Sequence, residues 1–263
     1  MIRHRAHFKW SCHDIIAHMN LCESKYQLDE TFTVRAYESG VTNHVTLSTL
    51  CNYMQEIAGL SADRLGFGIL KLQEERCTWM LSRLHIKVAR YVPWGENIMM
   101  RTWPSGMKGR LIATRCFQAV DNSGNEVLQA HSEWLYVNMD AQRIMRLPES
   151  FTGLVPEGTP DIQFEDIGGK IPRLSDVDFS TEVRVRRSDL DFNDHVNNVH
   201  YVEWMLESMP TDSNPKEVDI VYRSAAKTGE ELASERSSDG PRTFHQIRRT
   251  TDNLVLATAA MVW

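Results

Sequence analysis

The sequence predicts an α+β fold in which each half of the chain places one helix against a curved antiparallel sheet. Three observations support this prediction. Alternating, strand-like segments are separated by Gly- and Asx-rich turns, as antiparallel hairpins require. The same order of strand, polar turn and helix occurs in both halves of the chain. Between the halves, residues 148–180 contain four prolines and several glycines, which is typical of a linker.

The first copy of the pattern begins at Tyr26 with an expected strand through FTVRAYES. A polar turn, GVTNHV, follows it. We expect a helix from about Leu47, because apolar residues then recur at helical spacing, and Gly66 with Gly68 ends it. The apolar face of this helix carries Leu50, Met54 and Ile57. Four strands are expected after the helix, in the segments WMLSRLHIKVARY, IMMRTWPS, GRLIATRCFQAV and VLQAHSEWLYVN.

The second copy lies in the stretch from Val183 to Met209. It opens as an expected strand in which Arg184 and Arg186 lie on one face. A polar turn follows, and then a short amphipathic helix. The apolar face of that helix carries Val199, Val202, Leu206 and Met209. The strands expected after it are VDIVYRS, ELASERS, TFHQIRRT and LVLATAAMVW.

A shift of 151 residues aligns the two copies without a gap. It places Val34 on Val185, Val45 on Val196, and Met54 on Met205. The copies differ in their polar turns, where Asp191 faces Gly40 and Asn193 faces Thr42. Only the histidine, at position 195 in the second copy, occurs in both. A single active site is therefore expected in the second half.

The polar turn of the second copy carries the candidate catalytic residues. Asp191, Asn193 and His195 alternate along the chain and can converge on one point, and Asp with His forms a working base in many sites. The amide of Asn193 can polarise a carbonyl or orient a water. The neighbouring Asp194, Asn197 and Asn198 are read as turn formers and helix caps. The histidine could be structural, since both copies have it.

Composition narrows the classes of function. With 42% hydrophobic and 24% charged residues, the 263-residue chain is globular in composition. A net charge of −6 argues against nucleic acid as the main partner. The five cysteines show no CxxC spacing, which favours free thiols in a reducing compartment, and no apolar run is long enough for a membrane span. We therefore expect a cytoplasmic protein, with residues 1–24 as a poorly ordered N-terminal extension.

The stretch DLDFNDHVNNVHYVEWMLES closely resembles the signature of the acyl-acyl carrier protein thioesterases of plants and bacteria. RLHIKVARYVPWGE and SEWLYVNMDAQRIMRLPE resemble strands of the same family, and the resemblance runs from about Tyr26 to the C-terminus. It implies a tandem hot-dog fold, in which two hot-dog units in one chain join their sheets edge to edge as a pseudo-dimer. It also implies hydrolysis of the thioester between a fatty acyl chain and the phosphopantetheine of acyl carrier protein, without a metal or cofactor.

The resemblance suggests a division of the chain. Residues 25–147 would form an N-terminal hot-dog unit that binds the acyl chain, and residues 148–180 a linker. Residues 181–263 would form the catalytic hot-dog unit. The helix around Met54 and the Trp79–Leu84 strand are candidate walls of an acyl tunnel, although each is more easily read as core. Whether two chains pair as a homodimer is left open.

Carried over position by position, Asp191, Asn193 and His195 match the family's catalytic residues. One position departs from the pattern. Plant members follow their Tyr-Arg-Arg with Glu-Cys, whereas this chain has Ala225 and then Ala226 after YRS. Neither alanine can hold a proton, so Asp191 and His195 would activate the water between them. Asn193 and helix N–H groups would stabilise the carbonyl oxygen as charge develops.

An acidic enzyme that meets an acidic carrier protein needs a local basic patch. Arg184 and Arg186 are the candidates for this patch, and a solvated strand face is the alternative reading.

Two other functions stay open for the whole chain. An acyl-CoA thioesterase would use the same Asp191, and the alanine at position 225 could mark an acyl-binding protein without turnover.

Overall fold

The structure is a computed structural model that describes residues 26–155, 159–164, 171, 173–210 and 212–263. The N-terminal extension expected at residues 1–24 lies outside these ranges. The first half contains two helices, α1 at Leu47–Arg64 and α2 at Ile69–Glu74. Its strands are β1 (Leu28–Thr33), β2 (Cys77–Val88), β3 (Asn97–Lys108), β4 (Ile112–Asp121), β5 (Glu126–Asn138) and β6 (Arg143–Ile144).

The second half repeats this order after a short helix α3 at Glu149–Thr152, which lies within the expected linker. Its long helix is α4 at Asn198–Leu206. Its strands are β7 (Phe179–Arg184), β8 (Glu217–Tyr222), β9 (Glu231–Asp239), β10 (Arg242–Arg249) and β11 (Val255–Val262). Strand β7 thus begins two residues inside the segment expected as linker.

The first strand of each copy is shorter than expected. Strand β1 ends at Thr33, and the next residues form a 3-10 turn at Ala36–Glu38. The turn forms because the Glu38 carboxylate accepts the Arg35 N–H at 2.8 Å, which ends the strand's regular pairing. The second copy repeats the arrangement 151 residues later, with a 3-10 turn at Arg187–Asp189.

This turn changes the expected placement of one arginine. Arg184 is the last residue of β7, whereas Arg186 lies beyond it and precedes the 3-10 turn. Its N–H donates to the Asp189 carboxylate at 2.7 Å. The two arginines therefore do not share a strand face, although both side chains are exposed.

The ends of the two long helices have local causes. Helix α1 begins after Thr46, whose hydroxyl accepts the N–H of Thr49, and it ends before Gly66, which has a left-handed φ of 81°. Helix α4 begins after Asn197 and ends at Leu206, so Met209 lies beyond it. Its buried face carries Val199, Tyr201, Val202 and Met205, and Leu206 is only partly buried.

All the strands belong to one antiparallel sheet, in the order β1-β3-β4-β5-β2-β8-β11-β10-β9-β7, with β6 beside β5. The two halves meet where β2 pairs with β8, and His85 lies opposite Asp219 in that register. The Arg83 guanidinium and the buried Asp219 carboxylate form a two-point ion pair across this seam, at 2.8 and 2.6 Å. The expected edge-to-edge pseudo-dimer is consistent with this pairing.

Helices α1 and α4 pack against each other on one face of the sheet, and both contribute to a single apolar core. Leu50, Met54 and Ile57 of α1 are almost fully buried in that core, as expected. Residues 159–164 lie near the opposite face, where the Trp103 indole N–H donates to the Pro160 carbonyl at 2.7 Å. No helix in the described residues is long and apolar enough to cross a membrane.

Candidate active site

The polar turns before α1 and α4 have the same backbone conformation. In the first copy, the Gly40 N–H donates to the His44 carbonyl at 2.9 Å, and Asn43 is left-handed with φ 62°. The second copy repeats the hydrogen bond at 2.7 Å, from Asp191 to the carbonyl of His195, with φ 59° at the matching position. The turn therefore forms whether glycine or aspartate occupies its first position.

The Asp191 carboxylate is held by the backbone of its own turn. Its Oδ1 atom accepts the N–H of Asn193 at 2.8 Å and the N–H of His195 at 3.3 Å. Its Oδ2 atom has no hydrogen-bond partner within the described part of the chain. One oxygen thus fixes the orientation of the carboxylate, and the other is available to a water or a substrate.

Asn193 contributes an amide whose Oδ1 atom is buried and has no hydrogen-bond partner among the described residues. A buried polar atom without a hydrogen-bond partner costs free energy. Such an atom on a residue that lines a cleft suggests that a ligand or a water supplies the missing hydrogen bond. The next amide along the turn is satisfied: the Asn197 Oδ1 atom caps α4 by accepting the Val199 N–H at 3.2 Å. This agrees with the interpretation of Asn197 as a cap.

The cap of α4 is also bound by the other half of the chain. Gln55 of α1 donates from Nε2 to the Oδ1 atom of Asn197 at 3.0 Å. Sequence reasoning missed Gln55. The shift of 151 residues places it on Leu206, so it is polar in one copy only, which is the same asymmetry that singled out Asp191. That comparison could have found it.

His195 is partly buried, and its ring makes no hydrogen bond with any described residue. No ion pair within those residues joins it to the Asp191 carboxylate. In the first copy, by contrast, the Nδ1 atom of His44 lies 2.7 Å from the Thr42 carbonyl oxygen. Asp191 therefore hydrogen-bonds only the backbone N–H and carbonyl of His195 in the described structure, and the catalytic pairing of the two side chains stays a prediction.

A cleft of about 1030 Å³ lies between the second-copy turn and α1. The turn contributes Asp191, Phe192 and Asn193 to its wall, and α1 contributes Gln55 and Glu56. The imidazole of residue 195 is not part of this wall. The cleft thus combines groups from both halves of the chain.

The other end of the cleft is mainly apolar. Its lining there includes Phe67, Ile69, Leu70, Trp79, Trp134, Phe151 and Leu154. Of the two expected tunnel walls, Trp79 at the start of its strand segment lines the cleft. Met54 and Leu84 do not line it and are buried in the core. Acidic or polar metal ligands are not gathered here: no group of three His, Cys, Asp or Glu side chains in the described residues could hold a metal ion.

The segment at Ala225 lies beside the second-copy turn. The Ala226 N–H donates to the Tyr201 hydroxyl of α4 at 2.8 Å, and the Ala226 carbonyl accepts the N–H of Val196 at 3.4 Å. Ala225 is partly exposed and does not line the cleft. The position where plant members carry glutamate is therefore next to the candidate catalytic turn, but it supplies no proton-binding group.

Protein-family models match both halves of the chain. The family model described as the acyl-ACP thioesterase N-terminal domain matches residues 25–154, and that of the C-terminal domain matches residues 173–263. The chain belongs to the acyl-ACP thioesterase family. Both halves of the sheet and the candidate turn lie inside the matched regions.

Plant members of the family are among the similar proteins. An oleoyl-acyl carrier protein thioesterase of Arabidopsis thaliana is 30% identical over 84% of this chain and 65% of its own length. A palmitoyl-acyl carrier protein thioesterase of Cuphea hookeriana is 30% identical over 70% of this chain and 47% of its own length. The chain thus spans less than two thirds of the length of these relatives.

Solved structures of the family share the fold. An acyl-ACP thioesterase from Bacteroides thetaiotaomicron matches with a TM-score of 0.79 at 22% identity, covering 91% of this chain and 98% of that one. The 12:0-ACP thioesterase of Umbellularia californica matches with a TM-score of 0.75 at 22% identity, covering 90% and 97%. The tandem hot-dog fold expected from the resemblance is confirmed.

Proposed function

We propose that this chain hydrolyses the thioester of fatty acyl-acyl carrier protein and releases a free fatty acid. One observation carries the proposal. Asp191 and Asn193, which the first copy lacks, open onto a cleft whose opposite wall is α1 of the other half. The family of the chain and the names of its relatives support the choice of substrate.

In the proposed reaction, Asp191 acts as general base. Its Oδ2 atom takes a proton from a water, and the water oxygen bonds to the thioester carbonyl carbon. A positioned base of this kind contributes about 10²–10⁴ in rate. We assign the base to Asp191 rather than to His195 because the carboxylate lines the cleft and the imidazole does not. The proton held by Asp191 then passes to the leaving thiolate, so no step requires the ring of His195, which has no hydrogen bond within the described residues.

The carbonyl oxygen gains charge as the carbon becomes tetrahedral. The amide of Asn193 would donate to that oxygen, and one such donor is worth about 10²–10³ in kcat. The helix N–H groups expected to share this role are partly used, because the N–H of Val199 and the N–H of His200 both bind Asn197. Collapse of the intermediate breaks the carbon–sulfur bond, and the thiolate takes up the proton. Because a thiol has a pKa near 8.5, the thiolate leaves readily and needs little help from an acid. No residue at position 225 is required in this scheme.

The proposal gives the two halves different roles. The apolar end of the cleft, formed by the first half together with α3 and Leu154, would hold the acyl chain, and the second half would carry out the chemistry. Arg184 and Arg186 would contact the acidic carrier protein, since both are exposed on a chain of net charge −6. The cytoplasmic location and a homodimer stay predictions.

The test uses the purified full chain and the same acyl group attached either to carrier protein or to CoA. Release of the free thiol measures hydrolysis of each thioester. We expect a higher kcat/KM on the carrier-protein substrate. Equal or better turnover of the CoA thioester would favour the acyl-CoA thioesterase instead. Saturable acyl binding without hydrolysis at high protein concentration would contradict the proposal and support a binding protein.

A further inference from the structure

The wall of the cleft contains a buried arginine. Arg115 lies on β4, lines the cleft, and is only 9% exposed. Its Nη1 atom donates to the hydroxyls of Ser61 at 3.0 Å and Thr102 at 3.1 Å. Both acceptors are neutral. The Nε and Nη2 atoms have no hydrogen-bond partner among the described residues, so most of the donors of this guanidinium are unused.

The guanidinium also lacks a counter-ion. Among the residues that the structure describes, no carboxylate lies within ion-pairing distance of Arg115. Burial lowers its pKa to about 10, and the neighbouring Cys116 thiol raises the pKa by a smaller amount. A largely buried guanidinium loses part of its hydration, and a bound anion would offset that loss.

Arg115 lies farther along the cleft than the catalytic turn. Helix α1 contacts the turn through Gln55 and contacts Arg115 through Ser61. These residues are six positions apart, so the two contacts are separated by about 9 Å along the helix axis. Between them, α1 presents Glu56, Ala58, Gly59 and Leu60 to the cleft. Gly59 is exposed and a Cβ atom built on it would meet nothing within 4 Å, so the cleft opens to solvent along this stretch.

An acyl chain that starts at the turn and follows α1 would reach the guanidinium. Carbon–carbon bonds of about 1.5 Å advance a zigzag chain by roughly 1.3 Å each, so about 9 Å corresponds to roughly seven carbons. A carboxylate at the end of a chain of that length would meet two free guanidinium donors. Arg binds carboxylates with paired, charge-assisted hydrogen bonds.

We propose that Arg115 is a specificity-determining residue that binds an oxygen anion on the acyl group, so that a medium-length acyl thioester ending in a carboxylate is a preferred substrate. The proposal rests on the thioester hydrolysis proposed above. It names a substrate class that plain fatty acyl chains do not include. Without the guanidinium, the same carboxylate would lose its hydration in an apolar cleft without compensation.

The test compares octanoyl thioester with the half-thioester of octanedioate, both on carrier protein. For the wild-type chain, we expect kcat/KM to be about tenfold or more higher for the octanedioate substrate, as a charged hydrogen bond typically gives. In Arg115→Met the ratio should fall below one, because the carboxylate is then buried unpaired. The matched control is Arg143→Met, an exposed arginine on β6 outside the cleft, which should keep the wild-type ratio.

A second measurement does not need turnover. Monomethyl octanedioate, which keeps one carboxylate, should raise the melting temperature of the wild-type chain more than methyl octanoate, which has none, and Arg115→Met should remove the difference. If no thioester is hydrolysed but this difference is present, the proposed hydrolysis fails and the assignment of Arg115 stands. If octanoyl thioester is hydrolysed at least as fast as the octanedioate substrate, the assignment of Arg115 is overturned and the hydrolysis stands. Should Arg115→Met not fold, the wild-type ratio decides.

Discussion

Gly40 and Asp191 occupy the same position in two copies of one turn, and only Asp191 faces the cleft. The backbone hydrogen bond that closes the turn is the same in both, at 2.9 and 2.7 Å. The glycine in the first copy shows that the turn does not need a carboxylate in order to fold. The two hydrogen bonds that Asp191 Oδ1 accepts therefore orient the carboxylate, and orientation of that kind is what a catalytic base requires.

Gln55 should matter for turnover because it links α1 to the cap of α4. We predict that Gln55→Leu, which installs the residue found at the equivalent position 206, lowers kcat by about tenfold with little change in KM. The hydrogen bond from Gln55 to Asn197 would be lost. A double-mutant cycle with Asn197→Ala should show coupling in kcat. Additive effects of the two changes would mean that Gln55 acts elsewhere.

Ala225 offers a gain-of-function test. The variant Ala225→Glu restores a carboxylate beside the turn, where Ala226 accepts the Val196 N–H. Because Ala225 is partly exposed, the new side chain can stay hydrated, and we predict a higher kcat with a nearly unchanged melting temperature. The control is Ala225→Gln, which has the same shape without the charge. An equal rise in both variants would show that charge is not the cause.

The two exposed arginines, Arg184 and Arg186, should increase the rate at which the chain associates with the carrier protein. We predict that Arg184→Glu with Arg186→Glu raises KM for the carrier-protein substrate and leaves kcat nearly intact. Surface charges mainly govern association, so added salt should shrink the effect. The comparison substrate is a short acyl-CoA. A similar rise in its KM would point to a local structural change instead.

The seam between β2 and β8 should be sensitive to loss of one ion-pair partner. Asp219 is fully buried and pairs with Arg83 across the seam. Asp219→Asn would leave that guanidinium without its counter-charge, and we predict a loss of about 2–4 kcal/mol in the free energy of unfolding. The matched control is Asp140→Asn, which removes an exposed pair with Arg76 and should leave the free energy of unfolding almost unchanged. Denaturant unfolding measures both, and similar small losses would contradict the role of the seam.

The sequence predicted the elements that local patterns encode. The 151-residue repeat, the helix at Leu47 and the turn at Asp191 are all found, because apolar periodicity and turn residues act over short distances. The early end of β1 was missed although its cause is local, a carboxylate at Glu38 that accepts the Arg35 N–H three residues earlier. This side-chain hydrogen bond competes with the strand propensity of the same residues. The predicted strand therefore continued past Thr33, where the observed strand ends.

Other features could not be predicted because distant parts of the chain produce them. Comparison of the two copies could single out Gln55, but its partner Asn197 is 142 residues away and no local signal joins the two. The sequence left open whether Met54 lines an acyl tunnel or packs in the core, which was the favoured interpretation, and its side chain lies in the core shared by α1 and α4. The isolation of His195 from the Asp191 carboxylate depends on turn geometry, which residue spacing alone does not determine.

The central claim is that the Asp191 carboxylate is the catalytic base. The most direct measurement is kcat for hydrolysis of fatty acyl-acyl carrier protein by Asp191→Asn. The amide oxygen of this variant can still accept hydrogen bonds from the N–H groups of Asn193 and His195. Asp191→Gly is the companion variant, since the first copy folds with glycine at this position. We predict that both melt like the wild-type chain and lose about 10²–10⁴ in kcat. Wild-type turnover in either folded variant would contradict the account.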